Sequence, residues 1–203
     1  VTGLVVRDTA SSWTGFGQGV ILALIQVGGM GVVTCGVMIF TAAGRRLTLR
    51  QRGTMQDAIS APQIGGVVQL TGFILAVTAA LELLGAALLA LPFCRDLGLP
   101  RGLWYSLFHS VSAFCNAGFD LMGCQEPFSS LTAYSGHPWV NFVIMLLIIT
   151  GGIGFMTWND VKLHGLRLRR YRMQSKVILT TTAALIFLPA ACFYFFEFSG
   201  LAP

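Results

Sequence analysis

The chain has 203 residues, of which 55% are hydrophobic and 10% are charged. A soluble domain usually carries about 25% charged residues, so this composition excludes an ordinary soluble protein and indicates a membrane protein. The net charge of +5 does not indicate a nucleic-acid partner, because ten of the thirteen Lys and Arg residues fall in two short stretches, 45–52 and 162–176.

Four apolar stretches are long enough to cross a bilayer, since a membrane-spanning helix needs roughly 20 residues. In chain order they are residues 16–41, 64–93, 138–158 and 177–198. The second contains one charged residue, Glu82. An intramembrane carboxylate is a candidate for function, but we favour structural pairing with a polar group of a neighbouring helix over ion passage. The pattern predicts an all-α membrane protein.

A fifth apolar stretch, residues 102–114, would reach only about 20 Å as a helix, which is less than the thickness of a bilayer core. The basic stretches 45–52 and 162–176 follow the first and third spans, so both are expected on the cytoplasmic side. The second span then runs outward and the third runs inward. The short segment between them must begin and end outside, which predicts a re-entrant helix and loop.

The chain also repeats itself. The sequence GGMGVVT at 28–34 matches GGIGFMT at 151–157, with a spacing of 123 residues. Upstream of these copies lie two further small-residue motifs, VTGL at 1–4 and NAGF at 116–119, and the linker is eight residues longer in the second copy. Because the Gly runs lie inside apolar segments with no preceding strand, we interpret them as close helix packing rather than a dinucleotide loop.

The NAGF motif directly after the short helix is suited to binding a bare cation. Backbone carbonyls in a narrow loop can replace the hydration shell of potassium without a full charge that would trap the ion. Glycine adopts the required backbone angles at little steric cost. Irregular backbone at membrane depth is tolerated where protein shields it or it lines a wet pathway. The partly negative C-terminal end of the short helix also favours a cation there.

Several motifs together resemble the ion-translocating subunit of the Trk/Ktr/HKT superfamily of potassium transporters, and most closely the Ktr type. They are VTGL at 1–4 with Asp8 and Thr9, IQVGGMG at 25–31, FHSVSAFCNAGFD at 108–120 and TGGIGF at 150–155. The resemblance implies repeated helix, re-entrant pore loop, helix units around a potassium-channel-like pore, four in one polypeptide. It implies the end of repeat one at 1–55, repeat two at 56–175 and the first helix of repeat three at 176–203.

By the same resemblance, two filter strands belong to this chain. Their residues are Val1, Thr2, Gly3, Leu4, Cys115, Asn116, Ala117, Gly118 and Phe119. The carbonyls expected to hold potassium are those of Thr2, Gly3, Asn116, Ala117 and Gly118. Potassium is then the transported ion rather than a cofactor, with sodium dependence left open. The chain reads as a piece of a longer protein and should not conduct alone, because two strands do not close a fourfold pore.

The resemblance also implies partners. Ktr-type subunits work as homodimers in the cell membrane on a cytosolic ring of nucleotide-binding regulatory subunits. The basic stretches 45–52 and 162–176 lie on the side expected to face such a ring, although charges there commonly set topology and contact anionic lipid.

Two rival functions remain open at this point. His109 with Ser110 or Ser112 is the one candidate group for an intramembrane hydrolase, but no nucleophile-elbow motif accompanies it, and these side chains are also suited to anchoring the short helix. A purely structural membrane subunit is the other rival, and it gives the repeated Gly motifs no purpose. Asp8 and Asp120 follow the filter motifs and could either concentrate cations at the outer mouth or cap loops.

Overall fold

The computed structural model describes residues 3–31, 34, 67–124, 127–165 and 167–198. This part of the chain is helical and contains no strand, which confirms the predicted all-α class. The chain divides into two compact units, Val1–Gly152 and Ile153–Pro203. The helices of the first unit are α1 (Thr9–Ser12), α2 (Gly15–Met30), α3 (Val67–Leu97), α4 (Leu99–Phe114) and α5 (Pro138–Gly152). Those of the second unit are α6 (Phe155–His164) and α7 (Met173–Cys192), and α7 continues as a π-helical turn, Phe193–Phe198.

Two described helical segments are long and apolar enough to cross a membrane, Leu70–Leu97 and Met173–Phe196. They correspond to the predicted spans 64–93 and 177–198, and together with the other apolar helices they identify a membrane protein. The helix of the first segment continues through Pro92 to Leu97. The predicted first span, 16–41, begins as α2 and reaches a helix end at Gly31, and the rest of it lies outside the described residues apart from Thr34.

The predicted third span, 138–158, is not one continuous helix. Helix α5 ends at Gly152 and α6 begins at Phe155, and only the two together are long and apolar enough to cross a membrane. The physical reason is Gly154, whose φ of 80° lies outside the helical region.

The predicted repeat is visible in the backbone. Gly31, which ends α2, has φ 85° and ψ 138°, and Gly154, its counterpart 123 residues later, has φ 80° and ψ 151°. L-residues rarely adopt such angles, so a glycine is needed at both positions. We expected these glycines to serve helix packing, but Gly31 and Gly154 are needed instead for their positive φ, Gly31 at the end of α2 and Gly154 at the start of α6.

The core of the first unit surrounds α4. Gly98, with φ 81°, turns the chain from α3 into α4, and a Cβ at Gly102 would overlap the backbone of Cys94, so the two helices begin in close contact. Helix α4 also packs against α5 and α2. The fully buried side chains include Phe93, Phe108, Leu121, Val140 and Val143. A short helix enclosed on several sides can hold the loop that follows it in a defined position.

The second unit is organised by one buried carboxylate. Asp160 of α6 accepts hydrogen bonds from the backbone N–H of Arg172 at 3.0 Å and the hydroxyl of Ser175 at 2.7 Å, and Arg172 Nε lies 3.5 Å from its other oxygen. Asp160 thereby caps the start of α7, where the N-cap residue Arg172 supplies no side-chain bond of its own. The Tyr171 hydroxyl closes the connection by donating to the Gly165 carbonyl at 2.5 Å.

Candidate functional site

The second candidate strand begins where α4 unwinds. Cys115 still has helical angles, but Asn116 has φ 52° and Gly118 has φ 75°. The N–H groups of the first three residues of the strand point back to the helix: Cys115 donates to Val111, Asn116 to Ala113 and Ala117 to Ser112, at 2.9–3.1 Å between nitrogen and oxygen. The backbone N–H groups of these three strand residues are therefore hydrogen-bonded to α4, and their carbonyl groups take no part in these bonds.

The first candidate strand lies against the second. Gly3 has φ 73°, and a Cβ added to it would stand 2.5 Å from the carbonyl oxygen and 2.9 Å from the Cα of Gly118. The two backbones thus meet through glycines that are 115 residues apart in sequence. Around this contact Ala117 is buried, Asn116 is exposed and the Leu4 side chain is exposed, while Val1 and Thr2 lie outside the described residues.

Glycines of α2 and α5 hold the end of α4 from two sides. A Cβ at Gly29 would lie 2.6 Å from the Cβ of Cys115 and would overlap its sulfur. A Cβ at Gly151 would overlap the carbonyl oxygen of Phe114. The predicted role of the Gly runs in close helix packing is therefore correct for Gly29 and Gly151.

Glu82 ties three helices together next to the strand. Its side chain, only 5% exposed, accepts from Gln26 Nε2 of α2 at 2.9 Å and from the Cys115 thiol at 3.6 Å. The Ser110 hydroxyl donates to the backbone carbonyl of Glu82 at 2.6 Å. Both carboxylate oxygens are thus engaged, which agrees with the structural pairing predicted for this residue. Sequence reasoning missed Gln26, a polar residue inside an apolar segment, which was itself a signal.

His109, Ser110 and Ser112 anchor the short helix, as predicted. Ser110 bonds to α3, whereas Ser112 and His109 bond to the chain that follows α4. The Ser112 hydroxyl donates to the Phe119 carbonyl at 2.6 Å. His109 is in contact with the Tyr105 carbonyl through Nδ1 at 2.7 Å and with the Leu121 N–H through Nε2 at 3.3 Å. Because both ring nitrogens of His109 are occupied and Ser112 donates elsewhere, the two do not form a nucleophile and base pair.

Asp8 is a loop cap. Its buried carboxylate accepts from the backbone N–H and the hydroxyl of Ser11, each at 2.8 Å, and from the backbone N–H of Phe128 at 3.3 Å. Burial acts to raise the pKa of Asp8, but the hydrogen bonds from Ser11 and Phe128 favour the charged form, and the net pKa is lower than usual. Asp8 therefore fastens the linker after the first strand to the outer loop of the second copy.

Two cavities flank the second strand. One of about 270 Å³ lies between α4, the strand and the outer loop, and its lining includes His109, Ser112, Gly118 and Asp120. Another of about 450 Å³ lies on the side of α2, and its lining includes Gly29, Cys115 and Ala117. Asp120 itself accepts from the Met122 N–H at 3.0 Å. Among the described residues, no group of three or more His, Cys, Asp or Glu side chains is placed to hold a metal ion.

Comparison of the chain with known proteins identifies its family. The model of the TrkH family, described as a cation transport protein, matches residues 1–196. The chain is 39% identical over 200 residues to the Ktr system potassium uptake protein B of Bacillus subtilis, covering 98% of this chain and 44% of that protein. It is 35% identical over 201 residues to the potassium/sodium uptake protein NtpJ of Enterococcus hirae, covering 99% of this chain and 43% of that protein.

A third relative, the Ktr system potassium uptake protein B of Vibrio alginolyticus, is 31% identical over 198 residues, which is 97% of this chain and 42% of that protein. The chain thus spans less than half the length of these curated relatives. The match itself runs from the first candidate strand through α7, so it covers every element of the candidate site. The chain belongs to the TrkH family of cation transport proteins.

Proposed function

We propose that the full-length protein containing this chain takes up potassium across the cell membrane through a pathway lined by backbone carbonyls. One observation carries the proposal: Gly3 and Gly118, both at positive φ, meet backbone to backbone directly after a helix too short to span. Helix α4 has 16 residues and reaches about 24 Å, against the roughly 30 Å of a bilayer core. The names of the relatives, which include potassium uptake proteins, support the choice of ion.

The chemistry of selection follows from the kind of oxygen present. Carbonyl dipoles replace the water around a cation at similar cost, whereas a carboxylate would hold it too tightly to release. We assign the ligating carbonyls to Thr2, Gly3, Asn116, Ala117 and Gly118. The C-terminal end of α4 directly precedes the second strand, and its partly negative dipole stabilises a cation there. Two strands supply part of a fourfold pathway, so the remaining strands must come from the rest of the protein.

The repeat boundaries that we propose are 1–55, 56–175 and 176–203, for the end of one repeat, a whole second repeat and the start of a third. We also infer that the basic stretches 45–52 and 162–176 face the cytoplasm. Exposed Arg167, Arg169 and Arg170 lie in the second stretch, where they could contact anionic lipid or a partner. The Ktr system names of the relatives support a membrane subunit that works with a cytosolic regulatory component. We further propose that the subunit is a homodimer and that the component is a nucleotide-binding ring.

Replacement of Gly118 by Ser tests the proposal. At φ 75° a side chain strains the backbone by about 1–3 kcal/mol, and about 1.4 kcal/mol corresponds to a tenfold change in an equilibrium. We expect the potassium-over-sodium ratio of the full-length protein to fall about tenfold, measured as ion uptake in cells that lack their own potassium uptake systems. Gly136→Ser is the matched control, because Gly136 lies in the outer loop with open space around its Cα.

An unchanged ratio in Gly118→Ser, at the same abundance in the membrane as the unaltered protein, would contradict the filter assignment. Potassium uptake should also be measured with and without external sodium. The name of the Enterococcus relative includes both ions, so sodium is the second ion to examine.

A further inference from the structure

We propose that Ser112 and His109 are positioning residues that clamp the outer end of the second strand and thereby set its ion selectivity. The inference rests on the proposed function, since it concerns how the same strand selects ions. Both side chains belong to α4. Ser112 is 3% exposed and His109 is 2% exposed, so their polar atoms are committed to partners inside the protein.

The hydrogen bond from Ser112 marks the end of the proposed ion-binding carbonyls, because it engages the carbonyl of the residue after Gly118. Its hydroxyl donates to the Phe119 carbonyl at 2.6 Å, which turns this oxygen toward α4. The preceding residue, Gly118, lies against Gly3 of the neighbouring strand, and its carbonyl is among those that we assign to the ion. The Phe119 carbonyl is thus bound to α4, whereas the Gly118 carbonyl is left to the pathway. If the Ser112 hydroxyl is removed, the Phe119 carbonyl loses its hydrogen bond to α4.

The contacts of His109 fix its tautomer. Nδ1 lies 2.7 Å from the Tyr105 carbonyl, which can only accept, so the ring proton is assigned to Nδ1. Nε2 is then the acceptor for the Leu121 N–H at 3.3 Å. Leu121 is fully buried, so this bond holds the strand at the point where it leaves the site.

Together the two bonds form a two-point clamp. Residues 109 and 112 are three apart and share one face of α4. They hold residues 121 and 119 respectively, so the chain folds back alongside the helix. The cavity of about 270 Å³ adjoins both side chains, which leaves the strand space to shift if either bond is lost. This space is why we expect altered selectivity rather than only reduced stability.

Ser106 offers a matched control on the same helix. It is 1% exposed, and its hydroxyl donates to the Gly102 carbonyl one turn earlier at 2.6 Å, without a contact to the strand. Ser106→Ala and Ser112→Ala therefore remove the same atom from equally buried sites. A purely structural role for both serines predicts equal effects on selectivity, whereas the clamp predicts an effect for Ser112 alone.

The experiment measures potassium and sodium uptake by the full-length protein in cells lacking their own potassium uptake, together with protein abundance in the membrane. Ser112→Ala is expected to lower the potassium-over-sodium ratio about tenfold, Ser106→Ala by less than about twofold, and Ser112→Thr, which retains the hydroxyl, should restore the ratio. If Ser112→Ala does not reach the membrane, Ser112→Cys replaces it, because a thiol is a weak donor and should also lower the ratio relative to Ser112→Thr.

Two variants of His109 test the second point of the clamp. A Gln amide can reach the position of Nε2 and accept from Leu121, whereas an Asn amide reaches only the position of Nδ1. His109→Gln should therefore keep more selectivity than His109→Asn. Equal ratios for Ser112→Ala and Ser106→Ala, in a system where the unaltered protein selects potassium, would overturn the clamp alone. Absence of potassium selectivity in the unaltered protein would overturn the proposed function and the clamp with it.

Discussion

Helices α2 and α5 carry the same Gly-Gly-x-Gly pattern and use it against different neighbours. In α5 the first glycine of the pair, Gly151, packs against the Phe114 carbonyl. A Cβ added to the second, Gly152, would lie 3.9 Å from its nearest neighbour, Asn116 Nδ2. In α2 the second glycine, Gly29, packs against Cys115, and a Cβ on the first, Gly28, would meet no described atom within 4 Å. Contact with the end of α4 is therefore made by the first glycine of the pair in α5 and by the second in α2.

The difference has a simple geometric meaning. On the repeat boundaries proposed above, α5 follows α4 in one repeat and α2 belongs to the preceding repeat. We therefore expect each of these helices to have two small faces, of which one meets α4. We expect Gly28 and Gly152 to belong to the other face of each helix.

The comparison of α2 with α5 predicts the largest loss of stability for a substitution at Gly151. In Gly151→Ala the new methyl group would overlap a backbone carbonyl, which cannot rotate away, so we expect the full-length protein to lose about 3 kcal/mol of stability or more. Thermal unfolding of the purified protein in detergent measures this. Gly152→Ala is the control and should be close to neutral. Equal losses for both variants would break the distinction between the two faces.

A smaller effect is expected at Gln26, whose counterpart in the second copy is Ile149. Gln26→Ile leaves one oxygen of the buried Glu82 carboxylate without its donor, which costs about 2 kcal/mol. The same unfolding assay applies. The double variant Gln26→Ile with Glu82→Leu should recover much of that loss, because it removes the buried carboxylate together with its amide donor and leaves only the weakly donating Cys115 thiol without a partner. Strictly additive losses would show that the two side chains are not coupled.

The smallest effect is expected at Asp8, and it should depend on pH. The pKa of Asp8 is lower in the folded protein, so its contribution is present above the unfolded pKa of about 3.9 and is lost as pH falls through the folded value. Asp8→Asn should cost about 1 kcal/mol at neutral pH, since one charged hydrogen-bond acceptor is lost. The stability gap between Asp8→Asn and the unaltered protein should close below about pH 4, and a constant gap would contradict the titration of this group.

The strand residues that follow α4 were assigned through the family resemblance and stay a prediction. The sequence by itself determined the helical membrane class, the short helix α4 and the repeated glycine pattern. These features depend on local composition and on the residues allowed at positive φ, and both can be read over a few neighbouring positions. The sequence also singled out His109, Ser110 and Ser112 as anchors of α4, because polar side chains in an apolar helix need partners.

Only the tertiary structure decided which atoms those side chains bind. Glu82 meets Gln26, which is 56 residues away, and Gly3 meets Gly118 across 115 residues. It also decided that Gly154 interrupts the helix of the third predicted span while Gly151 packs against α4, although both belong to one short glycine run. The reason is that such roles depend on which surface arrives opposite each residue when helices pack, and that arrangement is not encoded within any local segment.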